Sequence, residues 1–230
     1  VGQLFGYVHD RLFTEDDFTT NAAGEQVLKE GIPTQTFTAK VRPGDIKYVD
    51  LDQNGVIDTY DQMAIGGTEN PEIVYGFGVN LRWKDLDFGA MFQGIGRTWR
   101  ILSSNIMPAS NKGSMYNIFD NYQDRWTVDN QSQDVFYPRA DYGPNANNSQ
   151  KSTWWLRNMS FLRLKNVELG YSCPKKWLQG FVISNARVFV RGTNLLTFSK
   201  FDLWDPELAT GDGAKYPAMK SVSVGFDITF

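Results

Sequence analysis

From residue 73 the chain alternates with a period of two. Ile73, Tyr75, Phe77, Val79, Leu81 and Trp83 share one face, against Val74, Gly76, Gly78, Asn80 and Arg82 on the other. After Lys84-Asp85 the alternation resumes, with Leu86, Phe88, Ala90 and Phe92 opposed by Asp87, Gly89, Met91 and Gln93. Successive strand side chains point to opposite faces, so two such runs around a two-residue polar turn predict a β-hairpin. Residues 221–230 alternate as strictly: Val222, Val224, Phe226, Ile228 and Phe230 oppose Ser221, Ser223, Gly225, Asp227 and Thr229. Two more strands are predicted at 161–173 and 186–198. In the first, Leu162 and Leu164 are in one phase and Val167, Leu169 and Tyr171 in the other, which places a β-bulge near Lys165-Asn166. The opening stretch, VGQLFGYVHDRLF at 1–13, completes a predicted set of six strands.

The connections are unequal. Lys84-Asp85 and PKKWLQGFVISN are short, whereas 14–71, 100–158 and 199–219 are long. Compact soluble domains rarely hold such long connections. Short and long connections alternate strictly, which is the habit of outer-membrane barrels with short periplasmic turns and long extracellular loops. Residues 73–83 also supply the roughly 9–11 residues that a tilted strand needs to cross a bilayer. On this reading the apolar face meets lipid, the glycine-rich polar face meets a wet lumen, and Trp83 sits in an interfacial aromatic girdle. A soluble antiparallel sandwich would show the same alternation but would bury its apolar faces. Six strands are fewer than the roughly eight of the smallest membrane barrels, and an open strand edge is not tolerated in lipid. The barrel reading therefore expects further strands beyond this sequence, and the start at Val1, in mid-strand, agrees.

Composition narrows the chemistry. Aromatic residues make up 14% of the 230 residues and glycine contributes 21, which suits strands and turns. A net charge of −3 gives no basic field for nucleic acid. Cys173 is the only cysteine and His9 the only histidine, so an internal disulfide and a Cys/His zinc site are both excluded. A His-dependent nucleophilic centre would rest on His9 alone, and a lone histidine is normally structural. No run is apolar enough for a membrane helix, and the first ten residues have no signal-peptide pattern.

One stretch carries candidate metal chemistry. In DLDQNGVIDTYD, residues 50–61, oxygen-bearing side chains fall at positions 1, 3, 5, 9 and 12 of a twelve-residue loop, with glycine at position 6. That is the spacing of a calcium loop. The expected ligands are Asp50, Asp52, Asn54, the Val56 carbonyl, Asp58 and Asp61, with Gly55 making the sharp turn. Asp61 is one methylene shorter than the usual bidentate glutamate, which likens the loop to dockerin modules. Read blandly, the same residues make solvated turns.

Two other groups are candidates for ligand chemistry. Residues 100–158 carry Tyr116, Phe119, Tyr122, Trp126, Phe136, Tyr137, Trp154 and Trp155. Such rings stack on ligands or, as the favoured reading, pack together to order the loop. An enzymatic reading would need paired carboxylates in a cleft, for example Asp202, Asp205 and Glu207, and a structural role is favoured for them.

Several blocks, in order, resemble the C-terminal part of SusC/RagA-type TonB-linked outer-membrane transporters. They are RPGDIKYVDLDQNGVIDTYDQMAIGGTENPEIVYGFGVNL (42–81), DRWT (124–127), YPRA (137–140), WWLRNMSFLRLKNVELGYSCP (154–174), GTNLLTFSKFDLWDPEL (192–208) and the terminal Phe230. The resemblance implies an all-β fold, an antiparallel transmembrane β-barrel of about 22 strands with an N-terminal plug, of which this chain supplies roughly the last six. It implies an outer-membrane location, a SusD-like surface lipoprotein over the extracellular mouth, and TonB engaged through an N-terminal region outside this sequence. It also implies a glycan or peptide as substrate and no catalytic residues. By the alternation of loops, the calcium-like loop would then lie outside the cell. Cys173 before Pro174 departs from the family pattern, where an aliphatic or polar residue is expected. The alternative remains a soluble secreted β-sandwich binding module with a dockerin-like calcium loop.

Overall fold

In the computed structural model, which describes residues 2–103, 119–141, 143, 145–180 and 182–230, residues 2–13 do not join the sheet of long strands. Strand β1 (Gln3–Tyr7) pairs antiparallel with β8 (Gln62–Thr68), and β2 (His9–Leu12) pairs antiparallel with β6 (Ile46–Tyr48). Between them lie the hairpin of β3 (Phe18–Thr20) and β4 (Gln26–Leu28) and a parallel pair, β5 (Thr34–Gln35) with β7 (Val56–Ile57). The sixth predicted long strand is thus corrected to two short ones, of five and four residues. Their burial explains why. Tyr7, Leu12 and Phe13 are buried in a local core, and the Tyr7 amide donates to the Lys151 carbonyl at 2.9 Å. A Cβ on Gly6 would collide with that carbonyl, so glycine is required for this close approach. Pieces this short cannot span a bilayer.

These strands belong to one of two compact units, made of residues 1–69, 100–157 and 210–212. Its core includes Tyr7, Leu12, Phe13, Ile46, Tyr48, Ile57, Ile65, Trp126, Tyr137 and Trp155. The stretches 14–69 and 100–157, read from the sequence within long loops, are therefore packed structure in their described parts. A buried polar cluster joins distant pieces of this unit. Asp45, fully buried, accepts from the Arg42 amide at 2.8 Å, Asn148 Nδ2 at 2.9 Å, Asn145 Nδ2 at 3.0 Å and Arg139 Nε at 3.3 Å. Burial raises its pKa, and the Arg139 charge and these donors offset only part of that.

The second unit, residues 70–99, 158–209 and 213–230, holds the long strands. They are β9 (Ile73–Trp83), β10 (Leu86–Gly96), β13 (Phe161–Ser172), β14 (Asn185–Ser199) and β15 (Ser221–Thr229). The order across the sheet is β15-β14-β13-β10-β9, antiparallel throughout. Two short strands, β11 (Trp99–Ile101) and β12 (Leu156–Asn158), pair with each other. The hairpin turns at Lys84-Asp85 as predicted, with Trp83 opposite Leu86 and Lys84 at φ 55°. The predicted bulge is also present. Met91 pairs with Asn166 and Phe92 with Leu164, so Lys165 is the extra residue.

Register carries the apolar pattern across all five strands. One row runs Trp83, Leu86, Tyr171, Val188, Phe226; the next runs Leu81, Phe88, Leu169, Val190, Val224. Phe77 stacks on Phe92 at 5.1 Å between ring centroids. These rows are not buried against a second sheet. Phe77 remains 56% exposed and Val79 42%, the opposite of what a sandwich requires.

Candidate functional site

The loop at 50–61 is shaped by its own side chains. Asp50 Oδ2 accepts from the Gly55 amide at 2.8 Å, and Gly55 holds φ 84°, a left-handed conformation that favours glycine. Asp52 accepts from the Asn54 amide at 3.1 Å and from Asn54 Nδ2 at 3.0 Å, while Asn54 Oδ1 accepts from the Val56 amide at 2.7 Å. Asp58 caps the short turn Thr59–Asp61 by accepting from the Tyr60 amide at 2.8 Å. Asp61 is fully buried and clamps both ends of the loop: Oδ1 accepts from the Leu51 amide at 2.7 Å and Oδ2 from the Asp58 amide at 2.8 Å.

Of the six residues singled out from the sequence, the fold brings three carboxylates together. Oxygens of Asp50, Asp52 and Asp61 lie within 4.8 Å of one another. Asp58 stands outside that group, and its carboxylate, like the Asn54 amide, serves a turn. Val56 is placed in β7. Asp50 Oδ1 is shielded from water and has no hydrogen-bond donor. Three acidic groups this close repel one another, an unfavourable arrangement that a cation relieves.

A second ionised arrangement lies on the polar face of the long sheet. Arg187 reaches Asp87 through Nε at 3.0 Å, Glu168 through Nη2 at 2.6 Å and Asp227 through Nη1 at 3.4 Å. Arg191 holds the other Glu168 oxygen at 2.6 Å. The Phe189 ring lies between the two guanidiniums, 5.0 and 5.3 Å from them. Gly170 and Gly225 leave the space these groups occupy: a Cβ on the first would meet Arg187, and on the second the Phe189 ring. Asn80 and Arg82 share this face, as the alternation predicted.

The aromatic loop resolves toward packing. Phe136 and Tyr137 meet edge to face at 4.6 Å, both approach Trp155, and Tyr122 lies 5.5 Å from Tyr137. Burial pushes the Tyr137 phenol up to about 12. Trp126 and Trp154 are buried, Phe119 is exposed, and Tyr116 lies outside the described residues. Asp205 and Glu207 are also structural. Both pair with Arg163, only 1% exposed, Glu207 at 2.6 Å, and Asp205 additionally caps the turn Pro206–Leu208. His9 pairs with Thr153 Oγ1 at 2.6 Å and packs edge to face on Trp154, and burial lowers its pKa.

Sequence reasoning did not single out the residues that brace this unit. Asp17 is one: burial would raise its pKa, but Arg11 at 2.6 and 2.7 Å, the Thr14 amide at 2.9 Å and Lys47 at 3.3 Å hold it well below the usual carboxylate range. The Asp45 cluster is another, since its partners lie about a hundred positions away and no local signal marks them.

No protein-family model matches the chain. It is 32% identical over 202 residues to the TonB-dependent receptor P26 of Formosa agariphila, covering 81% of this chain and 20% of that protein. It is 27% identical over 247 residues to the TonB-dependent receptor P3 of the same organism, covering 100% of this chain and 22% of that protein. To the TonB-dependent receptor SusC of Bacteroides thetaiotaomicron it is 24% identical over 202 residues, covering 85% and 19%. The chain thus spans about a fifth of the length of these relatives. Among solved structures, the RagAB peptide importer in its open-open state superimposes with a TM-score of 0.68 at 26% identity, covering 99% of this chain and 22% of that one. A further structure of the RagAB peptide transporter gives 0.68 at 27%, with the same coverage.

Proposed function

From its match to SusC/RagA-type TonB-dependent receptors, in sequence and in fold, we propose that this chain is the C-terminal part of a TonB-dependent outer-membrane importer. The observation that carries the reading is the two-faced sheet. One face is apolar and exposed across five strands, and the other bears ion pairs and glycines. In water such an apolar face is a liability, whereas in a bilayer it is the required lipid contact. The five strands sit in the outer membrane and are completed into a closed barrel by strands outside this sequence, because neither β9 nor β15 has a second strand partner among the described residues. The long connections, 14–71, 100–158 and 199–219, face the outside of the cell.

A SusD-like surface lipoprotein closes over that side, and TonB acts through a region outside this sequence. The cargo is an oligosaccharide or a peptide, and the likeness to the RagAB peptide importer favours the second. Calcium occupies the 50–61 loop, with Asp50, Asp52 and Asp61 as the convergent acidic ligands and Asn54, the Val56 carbonyl and Asp58 completing the set. Its role is to fix the loop. The chain carries no catalytic step in this reading.

The test is made on the full-length protein that contains this chain. Purified from outer membranes, it should carry the lipoprotein and a bound glycan or peptide identifiable by mass spectrometry. Cells lacking it should fail to take up that ligand. Recovery from the soluble fraction, or unchanged uptake, would overturn the proposal.

A further inference from the structure

Resting on the barrel reading above, we infer that the short-turn end of the long sheet is a binding surface for anionic phospholipid headgroups. Hydrogen bonds gather three segments at this rim. The Ser172 amide donates to the Asp85 carbonyl at 2.8 Å, the Cys173 amide to Ala186 at 2.8 Å, and the Ser184 amide to Thr229 at 2.7 Å. The β9–β10 turn, the connection from β13 to β14 with its single helical turn Lys175–Leu178, and the end of β15 therefore lie side by side.

The rim is aromatic and basic. Trp83 is 69% exposed and Trp177 60%. Both indoles are large, and neither is covered by the fold. Lys84, Lys175 and Lys176 are exposed, and among the described residues none of the three has a carboxylate within ion-pair distance. The Lys84 ammonium lies 5.1 Å over the Trp83 ring. Asp85 is the only acidic residue in 83–86 or 172–185, so the β9–β10 turn and the β13–β14 connection together carry three cations against one anion.

The apolar row Trp83, Leu86, Tyr171, Val188, Phe226 ends here. Lipid chains that cover the row therefore stop at this level, and their headgroups meet the lysines. Indoles prefer this boundary because it is apolar at one end and wet at the other. Lysine ammoniums extend past it on long apolar stems. An ammonium donates to phosphodiester oxygens, and a net positive rim favours a lipid with net negative charge over a zwitterionic one, whose own ammonium competes. The occupant is thus a phosphatidylglycerol-type lipid.

The experiment uses the full-length protein in nanodiscs of phosphatidylethanolamine with or without phosphatidylglycerol, with retained lipids counted by native mass spectrometry. Wild type should retain phosphatidylglycerol preferentially. The preference should fall about fivefold for each lysine removed, vanish in K84Q/K175Q/K176Q, and persist in K84R/K175R/K176R. Equal retention by the glutamine variant would overturn the inference, as would displacement of the lipid by millimolar inorganic phosphate. Failure of the barrel reading looks different. The wild type would then lack the compact, heat-sensitive band of a folded barrel on electrophoresis, before any lipid is compared.

Discussion

At the scale of single residues, the 50–61 loop shows how one carboxylate can serve two ends of a turn. Asp61 is buried and holds the Leu51 and Asp58 amides, while Asp50 keeps one buried oxygen without a donor. The first arrangement fixes the loop whatever the solvent contains. The second, beside Asp52, is the part of the loop that gains from a cation. With calcium proposed here, the full-length protein should bind it with a Kd on the order of 0.1–1 mM, the range of extracellular modules. D50A/D52A should abolish that binding, read by calcium titration, while barrel assembly stays intact. Chelation should speed amide exchange across 50–61 in wild type and leave the variant unchanged. A loop equally protected with and without chelator would show that Asp61 and the turn hydrogen bonds suffice.

At the scale of elements, the bulge at Lys165 keeps β13 two-faced. On its N-terminal side Leu162 and Leu164 face the apolar rows, and on its C-terminal side Val167, Leu169 and Tyr171 do so, because one residue is skipped between. Deleting Lys165 together with Asn166 sets Leu164 directly before Val167, which must then face opposite sides, and so turns 161–164 over relative to 167–172. Arg163, now clamped by Asp205 and Glu207, would then point toward lipid at a cost of about 2–4 kcal/mol. The deletion should strongly reduce the heat-modifiable, assembled fraction in outer membranes, whereas K165A, which keeps the extra residue, should assemble normally. The slip in phase made this bulge readable from sequence. The opening segment misled for a related reason: 1–13 has strand-like composition, but its buried residues Tyr7, Leu12 and Phe13 follow no period-two face.

At the scale of the whole molecule, the decisive asymmetry is between adjacent residues of β9. Val79 belongs to the apolar face and Asn80 to the ionised one. V79R should destabilise the assembled barrel by about 2–4 kcal/mol and N80R by much less, measured by denaturant unfolding in lipid vesicles. Equal effects would contradict a sheet with one face in lipid. By itself the sequence determined the long strands, their faces, the hairpin, the bulge and the calcium-like spacing, because each is written in periods of a few residues that local stereochemistry enforces. Tertiary structure decided the rest. It alone placed the opening segment against 46–48 and 62–68, joined Asp45 to Asn145 and Asn148, and showed that the loop aromatics pack on one another. Those pairings join residues far apart in the chain, where burial and hydrogen-bond satisfaction choose the partner and no local period records it.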